Sequence, residues 1–541
     1  MNTAYEAAAP LAAAPAAMKI ETHGIDIIPD HERHATVFDF MRIEWGGANS
    51  LATAVLGSFP IIFGLSFWQG VAACITGVVI GGLILAPMAI FGAMNGTNNA
   101  VSSSAHFGVV GRIVGSFLAL LTAICFFAIS VWSSGDALVG TLHRLFGAAE
   151  SEWLYGLAYG LFAGAILLVC IYGFQLMLVV NRIAVVVVTG LMIIGLIAFW
   201  PQFDQSFAGA GLAVGGEGFW PAFIGSTLIV LSNPISFGAF LGDWTRYVPR
   251  QTSKFRLMGA AFLAQVLTLL PFLFGLITAT VVAAAAPDYI TNANYTGGLI
   301  AVAPAWFLLP LLCLALVSGM STGTTSLYGT GLDFSSVFPA LSRVQATLLI
   351  GIISIVLIFV GRFSFSLISS ITTLVTLIIV MTTPWMSVMI VGAFLRRGYY
   401  LPEHMQVFNQ GKTGGAYWFR NGWNIAGITA WIPTALLALA TVNIPGQFVG
   451  WLGNLFGGVD VSLIVALVLP AIIYPALLFV FPEPRAVYGP ERPAPRSRVG
   501  RSNRADHLSD NHRRPENEGV VDGSGCGYCR GGPSGGRVRA A

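Results

Sequence analysis

This chain of 541 residues has few charged side chains. Asp, Glu, Lys and Arg make up 9% of it, whereas hydrophobic residues make up 55%. Soluble globular domains usually carry about 25% charged residues. The chain therefore has too little polar surface to coat a water-soluble globule, and its composition predicts an integral membrane protein.

Cysteine is also scarce, and its positions argue against a metal site. Four of the six cysteines lie in apolar segments, where a buried thiol behaves as a small hydrophobe. Cys526 and Cys529 form one C-x-x-C pair without the second pair that zinc sites of this kind need. The N-terminal segment lacks the compact apolar core of a cleavable signal peptide, so the first span is expected to direct insertion.

The basic residues give no reason to expect a nucleic-acid partner. Of the 27 Lys and Arg residues, eleven follow Pro482, in a segment rich in Arg, Pro, Gly and Ser that predicts disorder. The predicted organisation has three parts. They are a largely disordered cytoplasmic tail over 1–37, a helical membrane core over 38–482 and a disordered basic cytoplasmic tail over 483–541.

Long apolar runs fill the core. A span needs about 20 apolar residues in a helix, because backbone amides in lipid find partners only within their own segment. This length predicts an all-α polytopic protein with twelve transmembrane helices. They are 43–67, 71–94, 113–138, 153–172, 176–200, 219–242, 257–284, 305–332, 341–360, 366–394, 423–441 and 462–481.

The charges of the loops agree with that count. If the N-terminus is cytoplasmic, the inner loops hold eleven Lys and Arg residues, and the outer loops hold only Arg144 and Arg362. This asymmetry fits the positive-inside rule. It predicts a multi-pass protein of the cell membrane with both termini in the cytoplasm.

Two of the predicted spans contain helix breakers. The first holds Asn49 and then Gly57-Ser58-Phe59-Pro60, and the sixth holds Ser232-Asn233-Pro234-Ile235-Ser236. Proline removes a backbone donor and clashes with the preceding turn. Paired breaks in corresponding spans of two halves are the best sequence pointer to a transporter site. Spans one and six stand five apart, as an inverted five-plus-five repeat requires; an ordinary proline kink is the alternative interpretation.

The eighth span carries six hydroxyl side chains within nine residues, from Ser318 to Ser326. Such hydroxyls can bond back to their own helix, but their oxygens also suit a small cation. The same run matches the G-x-S-x-G pattern of hydrolases. It lacks the strand–turn–helix setting which that pattern needs, so we reject a hydrolase site.

The third span offers faces for a flat ring through Phe126, Phe127 and Trp132, with the hydroxyl of Ser130 among them. Each aromatic residue could equally serve packing. The acids Asp136, Asp243 and Asp333 fall near predicted helix ends. The middle of the spans is therefore expected to hold no fixed charge, which suits a neutral substrate and leaves no buried proton carrier.

The chain resembles the nucleobase:cation symporter-1 family, and within it the purine-cytosine permease branch, over about residues 38–481. The resemblance rests on an ordered series of short motifs. They are W-G-G-A-N at 45–49, H-F-G-V-V-G at 106–111, G-D-W-T-R-Y at 242–247, L-Y at 327–328, T-P-W at 383–385, R-R-G-Y-Y at 396–400 and G-A-Y-W-F-R at 415–420.

This resemblance implies a five-plus-five inverted repeat with broken helices 1 and 6, two extra helices, and alternating access. It implies a substrate site among spans one, three, six and eight, with Ser236 as the contact in span six. It also implies that Ser321 and Thr322 help to hold sodium beside carbonyls near Thr53 to Gly57.

The chain also departs from the family pattern. It has Phe126 and Ser130 where many members pair an aromatic residue with Gln or Asn, and Thr324-Thr325-Ser326 where many have an Asn. A hydroxyl cannot present the donor and acceptor edge of an amide. The resemblance therefore does not fix cytosine as the substrate.

The sequence thus predicts a cation-coupled symporter of a nucleobase-like heterocycle in a lipid bilayer, with no cofactor beyond the coupling ion. The ring would lie near Phe126 or Trp132, with Ser130 beside it. The predicted contacts of its edge are Pro234, Ser236, Thr324, Thr325 and Ser326. Sodium is preferred to a proton because the spans offer hydroxyls and no acid.

Other functions stay open at this stage. The solute could instead be allantoin, a hydantoin or a thiamine-like compound, or the protein could be a membrane sensor that signals through its tail. An intramembrane enzyme is not expected, because the spans lack paired acids, a metal cluster or a nucleophile with a base. The sequence does not predict an oligomeric state.

Overall fold

A computed structural model of the protein describes residues 23–292, 294–364, 367–444 and 448–490. Almost all of its regular structure is helical. The α-helices are α1 (Val37–Ala48), α2 (Leu51–Ile62), α3 (Phe67–Leu85), α4 (Ala89–Asn95), α5 (Asn99–Ser102), α6 (Ser104–Phe107), α7 (Arg112–Phe146), α8 (Glu152–Tyr172), α9 (Phe174–Phe199), α10 (Phe219–Phe237), α11 (Leu241–Thr245), α12 (Lys254–Leu267), α13 (Leu269–Ala285), α14 (Pro287–Thr291), α15 (Tyr295–Val302), α16 (Leu308–Val337), α17 (Arg343–Ser364), α18 (Leu367–Leu377), α19 (Thr383–Leu395), α20 (Pro402–Met405), α21 (Ile425–Ala440) and α22 (Ser462–Val480).

Shorter elements join these helices. The 3-10 turns are Asp30–Glu32, Ala86–Met88, Trp200–Gln202, Ala305–Phe307 and Arg485–Tyr488, and a π-helical turn, Ile378–Thr382, joins α18 to α19. Two strands, β1 (Asn443–Ile444) and β2 (Phe448–Val449), pair antiparallel after α21.

Within the described residues, ten helical segments are long and apolar enough to cross a membrane. They correspond to ten of the twelve predicted spans. The predicted first and eleventh spans contain shorter apolar helices instead, Leu51–Ile62 and Ile425–Ala440. The first is short because the chain leaves the helix at Asn49 and Ser50 between α1 and α2.

The first and sixth helices are both interrupted. The first break comes at Asn49, the first breaker named in that span, but the other predicted breakers do not interrupt their helices. Gly57–Pro60 lies inside α2, and Pro234 lies inside α10. The first break follows α1 because the Ser50 side chain accepts a hydrogen bond from the backbone of Thr53 and so starts a new helix. The second break comes between α10 and α11, after Pro234 rather than at it.

The helices pack around α7 and α16, which lie along each other. α10 packs on α3, and α13 packs on α2. The closest backbone approach joins α2 and α13: a Cβ atom built on Gly275 would lie 1.9 Å from the Ala54 carbonyl oxygen, and one on Gly57 would lie 2.2 Å from that of Phe272. These glycines are therefore what lets the two helices touch.

Both described ends of the chain are folded against the same face of the bundle, which we call the terminal face. Residues 23–36 cross it, where the carbonyl of Ile25 accepts hydrogen bonds from Thr97 and Gln406. At the other end Glu483 and Tyr488 are buried. Residues 23–36 and 483–490 of the predicted tails thus pack on the core, and residues 1–22 and 491–541 lie outside the described residues.

Candidate functional site

A small cavity lies where the interruptions of the first and sixth helices meet α7 and α16. Most of the residues around it are small, hydroxyl-bearing or aromatic. They are Gly47, Ser50, Ala52, Thr53, Phe126, Asn233, Ser236, Phe237, Phe240, Trp244, Thr322, Thr325 and Ser326. None of these described lining residues carries a charge, so the cavity is neutral.

The end of α1 is held at the cavity by side chains of α16. The last carbonyl groups of a helix lack partners within the helix and need donors from elsewhere. The Ser321 hydroxyl lies 2.7 Å from the Gly46 carbonyl, and the Thr322 hydroxyl lies 2.7 Å from the Gly47 carbonyl. We call these two hydrogen bonds the latch between α1 and α16. They explain why the hydroxyl-rich helix α16 packs beside the break.

The sixth helix brings polar groups that have no protein partner. The Oδ1 atom of Asn233 and the Nε1 atom of Trp244 are buried, and neither makes a hydrogen bond within the described residues. The rings of Trp244 and Phe237 lie 5.7 Å apart between centroids. The cavity wall thus combines one free acceptor, one free donor and aromatic faces, which together suit a planar polar ligand.

The cavity is almost closed. Its volume of about 20 Å³ has room for a single water molecule. A six-membered ring needs more space than that, so a ligand of this kind can enter only if the side chains and the broken helices move apart.

Six of the predicted site residues meet at this cavity. They are Thr53, Phe126, Ser236, Thr322, Thr325 and Ser326. Ser321 lies just behind the wall, where its hydroxyl reaches both Gly46 and Asn181. The site assignment itself stays a prediction, since proximity does not establish binding.

The other predicted site residues lie elsewhere. Trp132 donates its indole N–H to the Ile358 carbonyl at 3.2 Å, and Ser130 bonds back to Phe126 in its own helix. A Cβ built on Gly81 would meet Pro234 at 2.4 Å, so that proline packs on α3. The Thr324 hydroxyl bonds back to Ser321 in its own helix.

Gly57, the remaining predicted cation ligand, faces Phe272 of α13 and does not line the cavity.

Sequence reasoning missed several cavity residues for one reason. Phe237, Phe240 and Trp244 follow the proline that was taken as the break, so they seemed to lie beyond the site. Asn233 was noticed only as part of the interruption. It supplies the amide that the third and eighth spans lack, and its place one residue before Pro234 is the signal that could have identified it.

An acid was also missed. Glu44 of α1 is fully buried, as are Asp243 and Asp333. The expectation that the spans contain no buried acid is therefore wrong. Glu44 escaped notice because the predicted first span began at Ile43, which placed Glu44 at its edge rather than inside the bundle.

A larger cavity, of about 450 Å³, opens at the face opposite the terminal face. Its wall carries charge, including Asp136, Arg144 and Arg362, and it contains Trp132. Arg362 donates to Tyr159 at 2.9 Å, and the Tyr159 hydroxyl donates to Asp136. We call this space the outer cavity; its charged wall differs sharply from the neutral wall of the central one.

Three of the motif residues that carried the resemblance, His106, Arg396 and Tyr400, meet in a third place, on the terminal face. There the carboxylate of Glu483 accepts four hydrogen bonds. The donors are Arg396 (2.7 Å), Asn424 (2.7 Å), Tyr474 (3.0 Å) and Tyr488 (2.9 Å). We call this cluster the Glu483 hub.

His106 extends the hub through α6. Its Nδ1 atom lies 2.9 Å from Arg396, and its Nε2 atom lies 3.0 Å from the Tyr400 hydroxyl. Because arginine can only donate, Nδ1 must accept, and the ring proton sits on Nε2. Burial and the charge of Arg396 lower the pKa of His106 well below its ordinary value, so the ring is neutral.

Comparison with known proteins agrees with this architecture. The profile of the family described as permeases for cytosine/purines, uracil, thiamine and allantoin matches residues 27–466. A putative purine-cytosine permease, YxlA of Bacillus subtilis, is 25% identical over 87% of this chain and 98% of its own. The vitamin B6 transporter TPN1 of Saccharomyces cerevisiae is 26% identical over 65% of this chain and 62% of its own.

Solved structures share the fold. Mhp1, a nucleobase-cation-symport-1 family transporter in a closed conformation with bromovinylhydantoin bound, has a TM-score of 0.66 at 16% identity, covering 88% of this chain and 98% of its own. A Na⁺-coupled sialic acid symporter has a TM-score of 0.54 at 15% identity over 83% of this chain and 91% of its own. The predicted all-α polytopic fold is confirmed, except for the count of twelve helices. The chain belongs to the nucleobase:cation symporter-1 family, the permeases for cytosine/purines, uracil, thiamine and allantoin.

Proposed function

We propose that this protein carries a neutral, nucleobase-like heterocycle into the cell across the plasma membrane together with a cation. The observation that carries the proposal is the wall of the central cavity. It joins aromatic rings to the unpartnered amide oxygen of Asn233 and the unpartnered indole N–H of Trp244, without any charged side chain. A flat ring with donors and acceptors along its edge complements this wall.

The cavity's location supports transport rather than simple binding. It lies between two interrupted helices, and α1 is held there by the hydroxyls of Ser321 and Thr322. Breaking and remaking these two bonds would let the end of α1 swing toward or away from the cavity. A cavity of about 20 Å³ fits the same view, because alternating access requires a state in which the site is closed to both sides.

The same contacts suit a coupling cation. The hydroxyls of Ser321 and Thr322 face the carbonyls of Gly46 and Gly47, and all four are neutral oxygen ligands. Sodium would be held by these oxygens, with the Thr53 hydroxyl at the start of α2 nearby. An ion there would replace the hydroxyl–carbonyl bonds, and its charge would hold α1 against α16.

The test is uptake of radiolabelled cytosine into proteoliposomes, under a sodium or a proton gradient. Unlabelled hypoxanthine, uracil, allantoin, thiamine and pyridoxine serve as competitors. We expect gradient-dependent accumulation that at least one competitor blocks. If none of these compounds accumulates or competes under either gradient, nucleobase-like transport is wrong, and a solute of another class or a sensor takes its place.

A substitution at the cavity wall tests the site. Ser236→Leu places a branched side chain in a space that holds one water, so we expect uptake to be lost while the protein still inserts. Gly164→Leu is the matched control, because Gly164 is exposed on α8 and a Cβ there meets nothing within 4 Å. Uptake by the Ser236→Leu protein at the rate of the Gly164→Leu protein would remove Ser236 from the site.

A further inference from the structure

The Ser321 hydroxyl, which forms part of the latch between α1 and α16, has two acceptors for a single proton. Its Oγ atom lies 2.7 Å from the Gly46 carbonyl oxygen and 2.7 Å from Oδ1 of Asn181 in α9. A serine hydroxyl can donate only one proton. One of the two acceptors is therefore left without a full hydrogen bond, although Asn181 and Ser321 are both fully buried.

The orientation of the Asn181 amide group is fixed by its own helix. Its Nδ2 atom donates to the Met177 carbonyl at 2.9 Å. If the amide were turned over, its oxygen would face that carbonyl oxygen, and neither of the two can donate a proton. The amide oxygen of Asn181 therefore points to Ser321, where it can only accept.

The end of α1 has a glycine where these side chains approach it. A Cβ atom built on Gly46 would lie 2.5 Å from Oδ1 of Asn181 and 3.2 Å from Oγ of Ser321. Any other residue at this position would push the two side chains away from the backbone. The Gly47 carbonyl and the Thr322 hydroxyl are the next groups along the same two helices. Five oxygen atoms from α1, α9 and α16 therefore lie at the end of α1.

An excess of acceptor oxygens over donors suits a hard cation, which binds to oxygen ligands. Of these five oxygens only the two hydroxyls carry a proton, and none has a formal charge. We propose that Oδ1 of Asn181 is a further ligand of the coupling cation and completes its site from a third helix. The inference rests on the proposed function, whose cation site it extends to α9.

A ligand on α9 makes cation binding depend on how that helix packs. The latch already joins α1 to α16, and α9 adds Asn181 to it. α9 also contacts the end of α1 at a second point, where Nδ2 of Asn49 donates to the Thr189 hydroxyl at 3.0 Å. The cation is therefore expected to bind most tightly when α9 lies against α1 and α16, and to favour that conformation in turn.

The experiment measures sodium binding without any solute. The unfolding temperature of the purified protein is followed as sodium chloride replaces choline chloride at constant ionic strength, and its rise gives a Kd for sodium. Asn181→Leu keeps a similar side-chain volume but removes the oxygen. We expect its Kd for sodium to rise by about tenfold to a hundredfold, the range for losing one polar contact with a charged group.

Two further variants exclude a merely structural role. Thr189→Val is the matched control on the same helix, because it removes the hydrogen bond between α9 and Asn49 but none of the five oxygens. Its Kd for sodium should stay within about twofold of wild type. Asn181→Asp keeps an oxygen at this position and adds a negative charge, so it should bind sodium at least as tightly as wild type.

The outcomes separate this inference from the proposed function. Equal sodium affinity of Asn181→Leu and wild type would overturn the ligand on α9 and leave the other four oxygens as the site. Equal weakening in Asn181→Leu and Thr189→Val would also overturn it, because helix packing would then account for the loss. If Asn181→Leu does not fold, weaker sodium binding by Asn181→Asp than by wild type contradicts the proposal. Absence of sodium-dependent stabilisation in wild type would overturn the sodium site as a whole, and uptake under a proton gradient would still test transport.

Discussion

The central cavity and the Glu483 hub are opposite solutions to burying polar groups in one bundle. In the hub a single carboxylate accepts four hydrogen bonds, and its charge faces Arg396 at 2.7 Å. In the cavity the Oδ1 atom of Asn233 and the Nε1 atom of Trp244 make no hydrogen bond within the described residues. A network in which every polar group is hydrogen-bonded stabilises one conformation, whereas buried groups without partners can hydrogen-bond to a ligand. We therefore expect the hub to hold the terminal face in place and the cavity to bind the solute.

The family motifs do not all lie in the same part of the molecule. His106, Arg396 and Tyr400 belong to motifs that identify the family, yet they join the hub and not the cavity. Gly47 and Trp244, from two other motifs, line the cavity, but its residues Asn233 and Ser236 lie outside all the motifs. Conclusions about the solute should therefore be drawn from the cavity wall, and conclusions about stability from the hub.

The largest effect is expected from Glu483→Ala, which tests whether the hub stabilises the fold. Removing one partner of a buried ion pair costs about 3–5 kcal/mol, because the other charge stays buried without compensation. We expect a large fall in the thermal unfolding temperature of the purified protein and poor yield. Glu403→Ala changes an exposed acid near the same face and should leave both unchanged. Equal stability of the two variants would show that the hub is dispensable.

Tyr488→Phe should have a smaller effect of the same kind. It removes one hydrogen bond to the Glu483 carboxylate, at 2.9 Å, and such bonds to charged groups contribute about 1.5–3 kcal/mol. Unfolding should shift downward while the KM for uptake stays the same. Tyr399→Phe is the comparison, since Tyr399 is half-buried and is not one of the four donors to Glu483. A change in KM without a change in stability would reverse our assignment of the two regions.

Thr322→Val should give the smallest energy change. It should alter the KM for uptake rather than the unfolding temperature. The valine keeps the shape but loses the bond to Gly47, which corresponds to about 0.5–1.5 kcal/mol. The KM for substrate should rise by about two- to tenfold, with little change in unfolding temperature. Thr330→Val removes a hydroxyl from the same helix that bonds only within it, to Ser326. If both variants transport alike, the latch of α1 onto α16 has no role in binding.

Composition and apolar length were enough to predict the all-α fold, because the cost of bare amides in lipid leaves few alternatives. The positions of the helix breaks were not predictable in this way. Pro234 stays inside α10, and the first break depends on Ser50 and on hydroxyls of α16 that lie far along the chain. Such contacts have no local sequence signature.

The site was predicted only in part, because the contacts that orient its side chains also have no local sequence signature. Residues chosen by type and span, such as Phe126, Ser236 and Thr325, do face the cavity. Thr324 and Trp132 were chosen on equal grounds, but the Thr324 hydroxyl bonds within its own helix and Trp132 bonds to α17. The direction of a side chain depends on helix rotation. At the C-terminus, Glu483 anchors the first residues of the tail that composition predicts to be disordered.

The contact between α2 and α13 has a consequence for how the gene can vary. At Gly57 and Gly275 a single added methyl group would have to share space with a carbonyl oxygen of the facing helix. In a saturation library these codons should accept almost nothing, while Gly190 and Gly259, where an added Cβ meets nothing within 4 Å, should drift freely. We therefore expect relatives that share this fold to keep the contact between α2 and α13, whichever solute they carry.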